Sequence, residues 1–343
     1  MKIKLLIATG DINYAEHLSN ALSEKYADTF YVSVCRTSEK LQETLAAQSF
    51  DAALFSLPMI EGAALGTIRL PMLLWDDSES AIGAWTDITR IRKYQRITAI
   101  VGDILENYAK VSTLGPCLDS EKANITAVWS PAGGVGKTTV ALACASQKAA
   151  SGGRVLYLNL EHFSSSPTYF SNIGKSISSV FEMLEKSEGN IQVLIRGILC
   201  NDPETGISYF CRPDNYDDMN ILSVEDIASL IVACAGIADE LIIDMPCICD
   251  ERAKQVFAYA DRVLLVTDSA ETTHTKIRQF ATQHSIFEYI RSKTTLVANK
   301  DASPIEPFFS EAIRLPHVRS SDAAIVFKTL SGSIFEPWAG ESV

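Results

Sequence analysis

Long hydrophobic runs are missing from this 343-residue sequence. No stretch approaches the roughly 18 uninterrupted apolar residues of a membrane-spanning helix. The apolar start MKIKLLIA stops at Thr9-Gly10-Asp11, too short for a secretory signal, so the expectation is a cytoplasmic protein. Glycine (18) and proline (12) are sparse, which excludes collagen-like and linker-like chains. Positive charge is scarce as well. Thirty Lys and Arg stand against 42 Asp and Glu, for a net −12, which weighs against a general binder of nucleic acid or anionic lipid. The eight cysteines are scattered, at 35, 117, 144, 200, 211, 234, 247 and 249, mostly inside apolar runs. They read as buried thiols rather than a disulfide framework. Cys247-Ile248-Cys249 supplies half a tetrahedral metal site with no obvious second pair.

What the sequence does contain is alternation. Apolar residues make up 47%, enough for sizeable cores, and the length suggests two domains. Residues 3–8, 30–35, 52–57 and 71–75 and a short segment near 88–95 read as strands. Helical patterns lie between them, and a helix over 96–111 follows. Residues 112–123 mix Ser, Gly, Pro and charge without period and read as a linker. Strands are expected again at 125–130, 154–160, 240–245, 262–268 and 294–299. Helices are expected near 137–151, 176–187, 223–236, 251–259 and 273–291, with Ser223 and Asp226 as a helix-start pair. The predicted fold class is α/β, two doubly wound domains over 1–111 and 124–343 with mainly parallel sheets.

The segment ITAVWSPAGGVGKTTV (125–140) runs from a buried strand through a glycine-rich turn into a helix. Gly133, Gly134, Val135 and Gly136 would let successive backbone N–H groups converge on an anion at a helix N-terminus. Lys137 would neutralise terminal phosphates, and the Thr138 hydroxyl, followed by Thr139, would ligate Mg²⁺. Pro131 stands where the strict phosphate-loop pattern has its first glycine.

On these residues the sequence resembles the ParA/MinD group of P-loop ATPases, whose deviant Walker A loop reads KGGxGKTT. AGGVGKTT (132–139) matches except for Ala132. In the family that position is a lysine reaching the partner's nucleotide across a dimer. The resemblance implies binding of ATP and Mg²⁺ and a homodimer, with hydrolysis slowed by the missing lysine. It also implies roles for three residues beyond the loop. Glu161, in RVLYLNLEHF beside the neutral Asn159, would orient the attacking water. Asp244, closing LIID, would hold Mg²⁺ through water, and Asn299 in LVANK would read adenine. Lys137, Glu161 and Asp244 are the candidate catalytic set.

The N-terminal segment resembles a response-regulator receiver domain. Thr9 and Gly10 stand at its acidic-pair positions, beside Asp11, and Ser56 stands at the phosphoacceptor position. It is expected to be a pseudo-receiver, a targeting or docking surface with no phosphotransfer. A pseudo-receiver followed by such an ATPase resembles the CpaE/TadZ family, localisation factors for tight-adherence (Flp, type IVb-like) pili. That layout implies pilus machinery proteins as partners, and recruitment to the membrane or cell pole only through them. Competing readings are a DNA-partition ATPase, a MinD-like membrane-positioning ATPase, and a metal-cofactor insertion ATPase using Cys247 and Cys249. Residues 1–115 carry −3 and residues 116–343 carry −9. Both halves therefore weigh against DNA.

Overall fold

A computed structural model describes residues 2–76, 85, 88–112, 123–171, 173–186, 189–305, 307–309 and 311–331. The chain divides into two compact units, Met1–Cys117 and Leu118–Val343. Most of the expected linker, residues 113–122 including Cys117, lies outside the described residues, as does the tail from 332 onward. Among the described residues, no helix is long and apolar enough to cross a membrane.

The first unit runs β1 (Ile3–Ala8), α1 (Ile12–Lys25), β2 (Phe30–Cys35), α2 (Ser38–Ala47), β3 (Phe50–Phe55), the short α3 (Leu57–Ile60), β4 (Ile68–Trp75), β5 (Thr89–Arg92) and α4 (Ile97–Val111). Its five strands pair in parallel in the order β2-β1-β3-β4-β5, a doubly wound order. The continuous apolar runs of β1 and β3 bury nearly every residue because helices cover both faces of the sheet. Leu6, Phe55, Ile60 and Leu73 fill one face of this core. Asp11 caps α1 by accepting from the backbone N–H of Tyr14 at 3.1 Å.

The second unit runs β6 (Asn124–Trp129), α5 (Lys137–Ala150), β7 (Val155–Asn159), α6 (Ser178–Lys186), α7 (Ile191–Ile198), β8 (Cys200–Asn201), β9 (Ser208–Tyr209) and α8 (Val224–Ala235). It continues with β10 (Glu240–Asp244), α9 (Glu251–Tyr259), β11 (Arg262–Thr267), α10 (Glu271–Ala281), α11 (His284–Arg291), β12 (Thr294–Ala298), β13 (Ile313–Arg314) and α12 (Ala323–Ser331). The eight strands lie in the order β13-β12-β11-β6-β10-β7-β9-β8, parallel except for the β8–β9 hairpin. Parallel pairing brings the C-terminal ends of β6, β10, β7, β11 and β12 to one edge. Asp244, for example, stands opposite both Val128 and Asn159. β7 and β10 lie to one side of β6, and β11 and β12 to the other, so this edge is where the winding reverses, the usual place for a ligand crevice.

The elements depart from the sequence reading in one helix and in several short elements. The single helix read over 273–291 is two, α10 and α11, because the backbone leaves helical pairing at Thr282-Gln283. The two-residue strands β8, β9 and β13 were not anticipated, since two residues carry no period. Helices α7 and α12 were also missed. The Ser223 helix start is a full capping box: Ser223 Oγ accepts from Asp226 N, and the Asp226 carboxylate accepts from Ser223 N. Aspartate therefore suffices where glutamate is commoner.

Candidate functional site

The turn from β6 into α5 is built to leave donors free. Gly134 and Gly136 have φ of +76° and +94°, a region closed to most side chains. A Cβ on Gly136 would also collide with the Asn299 amide. Gly136 is the N-cap of α5 and supplies no side-chain cap. Among the described residues, the backbone N–H groups of residues 133–139 donate to no protein acceptor. The carbonyls behave oppositely. Gly134 O accepts from Lys300 Nζ at 3.0 Å, Val135 O from Asn299 Nδ2 at 2.8 Å, and Gly136 O from Val140 N at 3.0 Å. A run of unspent N–H groups at a helix N-terminus is an anion cradle.

Lys137 begins α5 and is buried, at 6% exposure. Its Nζ donates to Cys247 Sγ at 3.2 Å and lies 3.6 Å from Glu161 Oε1. This buried cation is thus held by a thiol and by one half-buried carboxylate at long range. A buried charge so weakly paired favours a further anionic partner.

Asp244 closes β10 and is fully buried. Its Oδ2 accepts from Tyr157 Oη at 2.8 Å and from Asn159 Nδ2 at 3.3 Å, while Oδ1 is buried with no hydrogen-bond partner. Burial, reinforced by the Glu161 charge, pushes the Asp244 carboxyl up to about 7; Thr138, Tyr157 and Lys137 pull the other way. Burial, together with the Asp244 charge, raises the Tyr157 phenol well above its ordinary value, so it remains a donor. Asn159 Oδ1 accepts from Glu161 N at 2.8 Å, which ties the strand end to the segment that carries Glu161. A buried carboxylate with one oxygen lacking a close partner, and with the Thr138 hydroxyl near enough to lower its pKa, suits a hard cation. Among the described residues, no group of three or more Cys, His, Asp or Glu is arranged to hold a metal.

The structure brings Gly133 to Thr139, Glu161, Asp244 and Asn299 together at one edge of the sheet. Thr139 Oγ1 lies 3.4 Å from Tyr169 Oη. The Asn299 amide is turned onto the loop, with Nδ2 on Val135 O and Oδ1 accepting from Lys300 N at 2.9 Å; here it shapes the loop. Ala132 is buried at 3% exposure within the core of the second unit. Cys247 is half-buried against Lys137, whereas Cys249 is exposed. Sequence reasoning missed Tyr157, Lys300 and the Cys247 contact. Tyr157 had a signal, since it lies two residues before Asn159 and shares its face of the strand.

No family model and no curated protein matches the sequence. Among solved structures, a ParA family ATPase from Chlorobium tepidum TLS is 18% identical. The match covers 62% of this chain and 94% of that one, with a TM-score of 0.52. The likeness is one of fold. The MinD septum site-determining protein complexed with Mg-ADP from Pyrococcus horikoshii OT3 is 14% identical over 64% of this chain and 100% of its own, with a TM-score of 0.48. The Pyrococcus furiosus cell division ATPase MinD is 14% identical over 61% and 97%, with a TM-score of 0.46. The α/β fold with a mainly parallel sheet is shared with the ParA family ATPase from Chlorobium tepidum TLS.

Proposed function

We propose that the second unit binds ATP with Mg²⁺ and acts as a slowly hydrolysing, dimer-forming switch of the ParA/MinD type. The observation that carries this reading is the pairing of opposite needs at one sheet edge. Donors on residues 133–139 and the buried Lys137 await an anion, while the orphaned Asp244 oxygen beside Thr138 awaits a cation. A metal-bound polyphosphate satisfies both. The backbone N–H groups and Lys137 would hold the phosphates, and Thr138 and Asp244 would hold Mg²⁺, Asp244 through water. Magnesium, when bound, neutralises phosphate charge as it develops. Glu161, 3.6 Å from Lys137, is the group available to orient water. The neutral Asn159 and the buried Ala132 favour slow turnover.

The finer reading is a localisation or assembly factor for tight-adherence pili, acting through protein partners. Domain order supports it: a five-stranded doubly wound unit precedes the ATPase-like one. Ser56 follows β3 directly, and Asp11 is committed to Lys93 at 2.8 Å, so carboxylate phosphotransfer lacks an acceptor and the first unit is left for docking.

Isothermal calorimetry with ATP and Mg²⁺ tests the central claim. Wild type is expected to bind. Lys137→Ala should lose about 1.5–3 kcal/mol, roughly a 10- to 150-fold weakening, as expected for a charged hydrogen-bonding group. Absence of binding by the folded wild-type protein overturns the reading.

A further inference from the structure

Cys200 and Cys211 were unremarkable in the sequence, eleven residues apart and unlike any metal or redox motif. The β8–β9 hairpin brings them together. Cys200 opens β8 opposite Tyr209, and Cys211 follows two residues after β9, bridged to Ser176. The intervening turn is fixed by Asp202, whose carboxylate accepts from Thr205 N at 2.9 Å and from Thr205 Oγ1 at 2.6 Å. The two sulfurs lie 3.6 Å apart. Cys211 is buried, while Cys200 is half-buried and so reachable from solvent.

The hydrogen bond between the two thiols holds Cys200 below its ordinary value, and the same contact together with burial raises Cys211. Cys144 and Cys234 differ: each is fully enclosed, and burial is the main cause that lifts the thiol. Because Cys200 is reachable from solvent and Cys211 is buried, Cys200 is the attacking partner and Cys211 the resolving one.

A third strand of chain lies on the sulfurs. A Cβ at Gly174 would collide with Cys200 Sγ and lie 3.2 Å from Cys211 Sγ, and Cys200 Sγ is 3.6 Å from Ile173 O. The segment ending at Gly174 begins at Glu161. Along it, Phe170 stacks on Tyr209 at 4.1 Å and Ser171 Oγ lies 3.1 Å from Tyr209 Oη. The thiol pair therefore sits beneath the far end of the segment that leaves β7 at the candidate site.

We propose that Cys200 and Cys211 form a reversible disulfide that re-seats the segment between Glu161 and Gly174. The oxidant is a small-molecule disulfide such as oxidised glutathione. The Cys200 thiolate attacks one sulfur of the oxidant and forms a mixed disulfide. The departing small thiolate takes up a proton equivalent to the one Cys200 released. Cys211 then loses its proton, and its sulfur attacks that of Cys200, expelling the second small thiolate, which takes that proton. Two protein thiols lose two electrons and one small disulfide becomes two thiols. An S–S bond of about 2.05 Å requires the sulfurs to close by roughly 1.5 Å, and this movement is what shifts the backbone packed on them.

The test uses the full chain without nucleotide, so it stands apart from the ATP reading. Protein is equilibrated in glutathione buffers of increasing oxidised fraction, acid-quenched, alkylated, digested and mapped by mass spectrometry. The expected product is a peptide pair linked through Cys200 and Cys211, rising with the oxidised fraction and lost on treatment with dithiothreitol. In Cys211→Ser, glutathione should accumulate on Cys200; in Cys200→Ser, Cys211 should stay reduced. Hydrogen exchange over residues 161–176 should differ between reduced and oxidised wild type by several-fold in rate. If the most oxidising buffer leaves both thiols reduced, or caps each with glutathione without linking them, the disulfide is overturned. Linkage with unchanged exchange over 161–176 overturns the coupling to the segment. Both wild-type measurements hold even if a variant fails to fold.

Discussion

Lys137, Thr138 and Asp244 could be picked out from residue order because strand, turn, lysine, hydroxyl and helix occur in one short run, and because an acid closing a buried strand is chemically unusual. Their neighbours were harder to see. Lys300 reaches Gly134 O from a position 166 residues away, and no local spacing encodes that. Ala132 illustrates how burial changes the meaning of a substitution. Its side chain lies in the core, so a lysine there must carry its charge outward past packed groups. Ala132→Lys is expected to lower the urea midpoint, by about 1–3 kcal/mol of stability, while raising ATP turnover. Turnover unchanged from wild type would mean that the missing lysine is not what limits the rate. In the first unit, the hydrogen bond from Lys93 holds the Asp11 carboxyl below its ordinary value, aided by the Tyr14 backbone N–H. A depressed carboxylate stabilises the fold fully above the unfolded value, about 3.9, and this is lost as pH falls through the lower folded value. Asp11→Asn should therefore be less stable than wild type at pH 7, and the gap should narrow below about pH 4. Denaturant titrations at the two pH values check this.

Elements with a strong period were legible. The buried strands β1, β3, β6, β10 and β11 announce themselves as apolar runs, and α8 by its capping box. The break between α10 and α11 was not, because the apolar residues Phe280 and Phe287 keep one face continuous across Thr282-Gln283; their rings meet at 5.8 Å. Helix α12 packs against α5, with Phe327 buried and edge-on to Tyr169 at 5.9 Å. Phe327→Ala is expected to cost about 3–5 kcal/mol, the usual range for a buried phenylalanine. A thermal shift assay with and without ATP would register it. Because Tyr169 also approaches Thr139, the variant should weaken nucleotide binding besides lowering stability.

At the scale of the molecule, the chain divides into two compact units, and strand–helix alternation restarts in the sequence after the expected linker. The strand orders were not legible there, because pairing between strands distant in sequence has no local signature. The order of the larger sheet explains why residues as separate as Lys137, Asp244 and Asn299 share one edge. For the whole chain, light scattering with ATP and Mg²⁺ is expected to give twice the monomer mass, falling back when nucleotide is removed. A monomer under saturating nucleotide would contradict the proposed dimer.

The loop carbonyls hold one more consequence. Those of Gly134, Val135 and Gly136 are each spoken for by a donor of the chain itself, so the loop works as an electrical one-way face. Three carbonyl oxygens of the loop already have partners, while its N–H groups have none among the described residues. A cation arriving at these three carbonyls competes with donors already in place, whereas an oxyanion meets a row of free N–H groups. Discrimination by sign is thus wired into the backbone before any ligand arrives. Asn299 and Lys300, directly after β12 and two strands from β6, maintain it, a share of the selectivity that the loop's glycines do not supply.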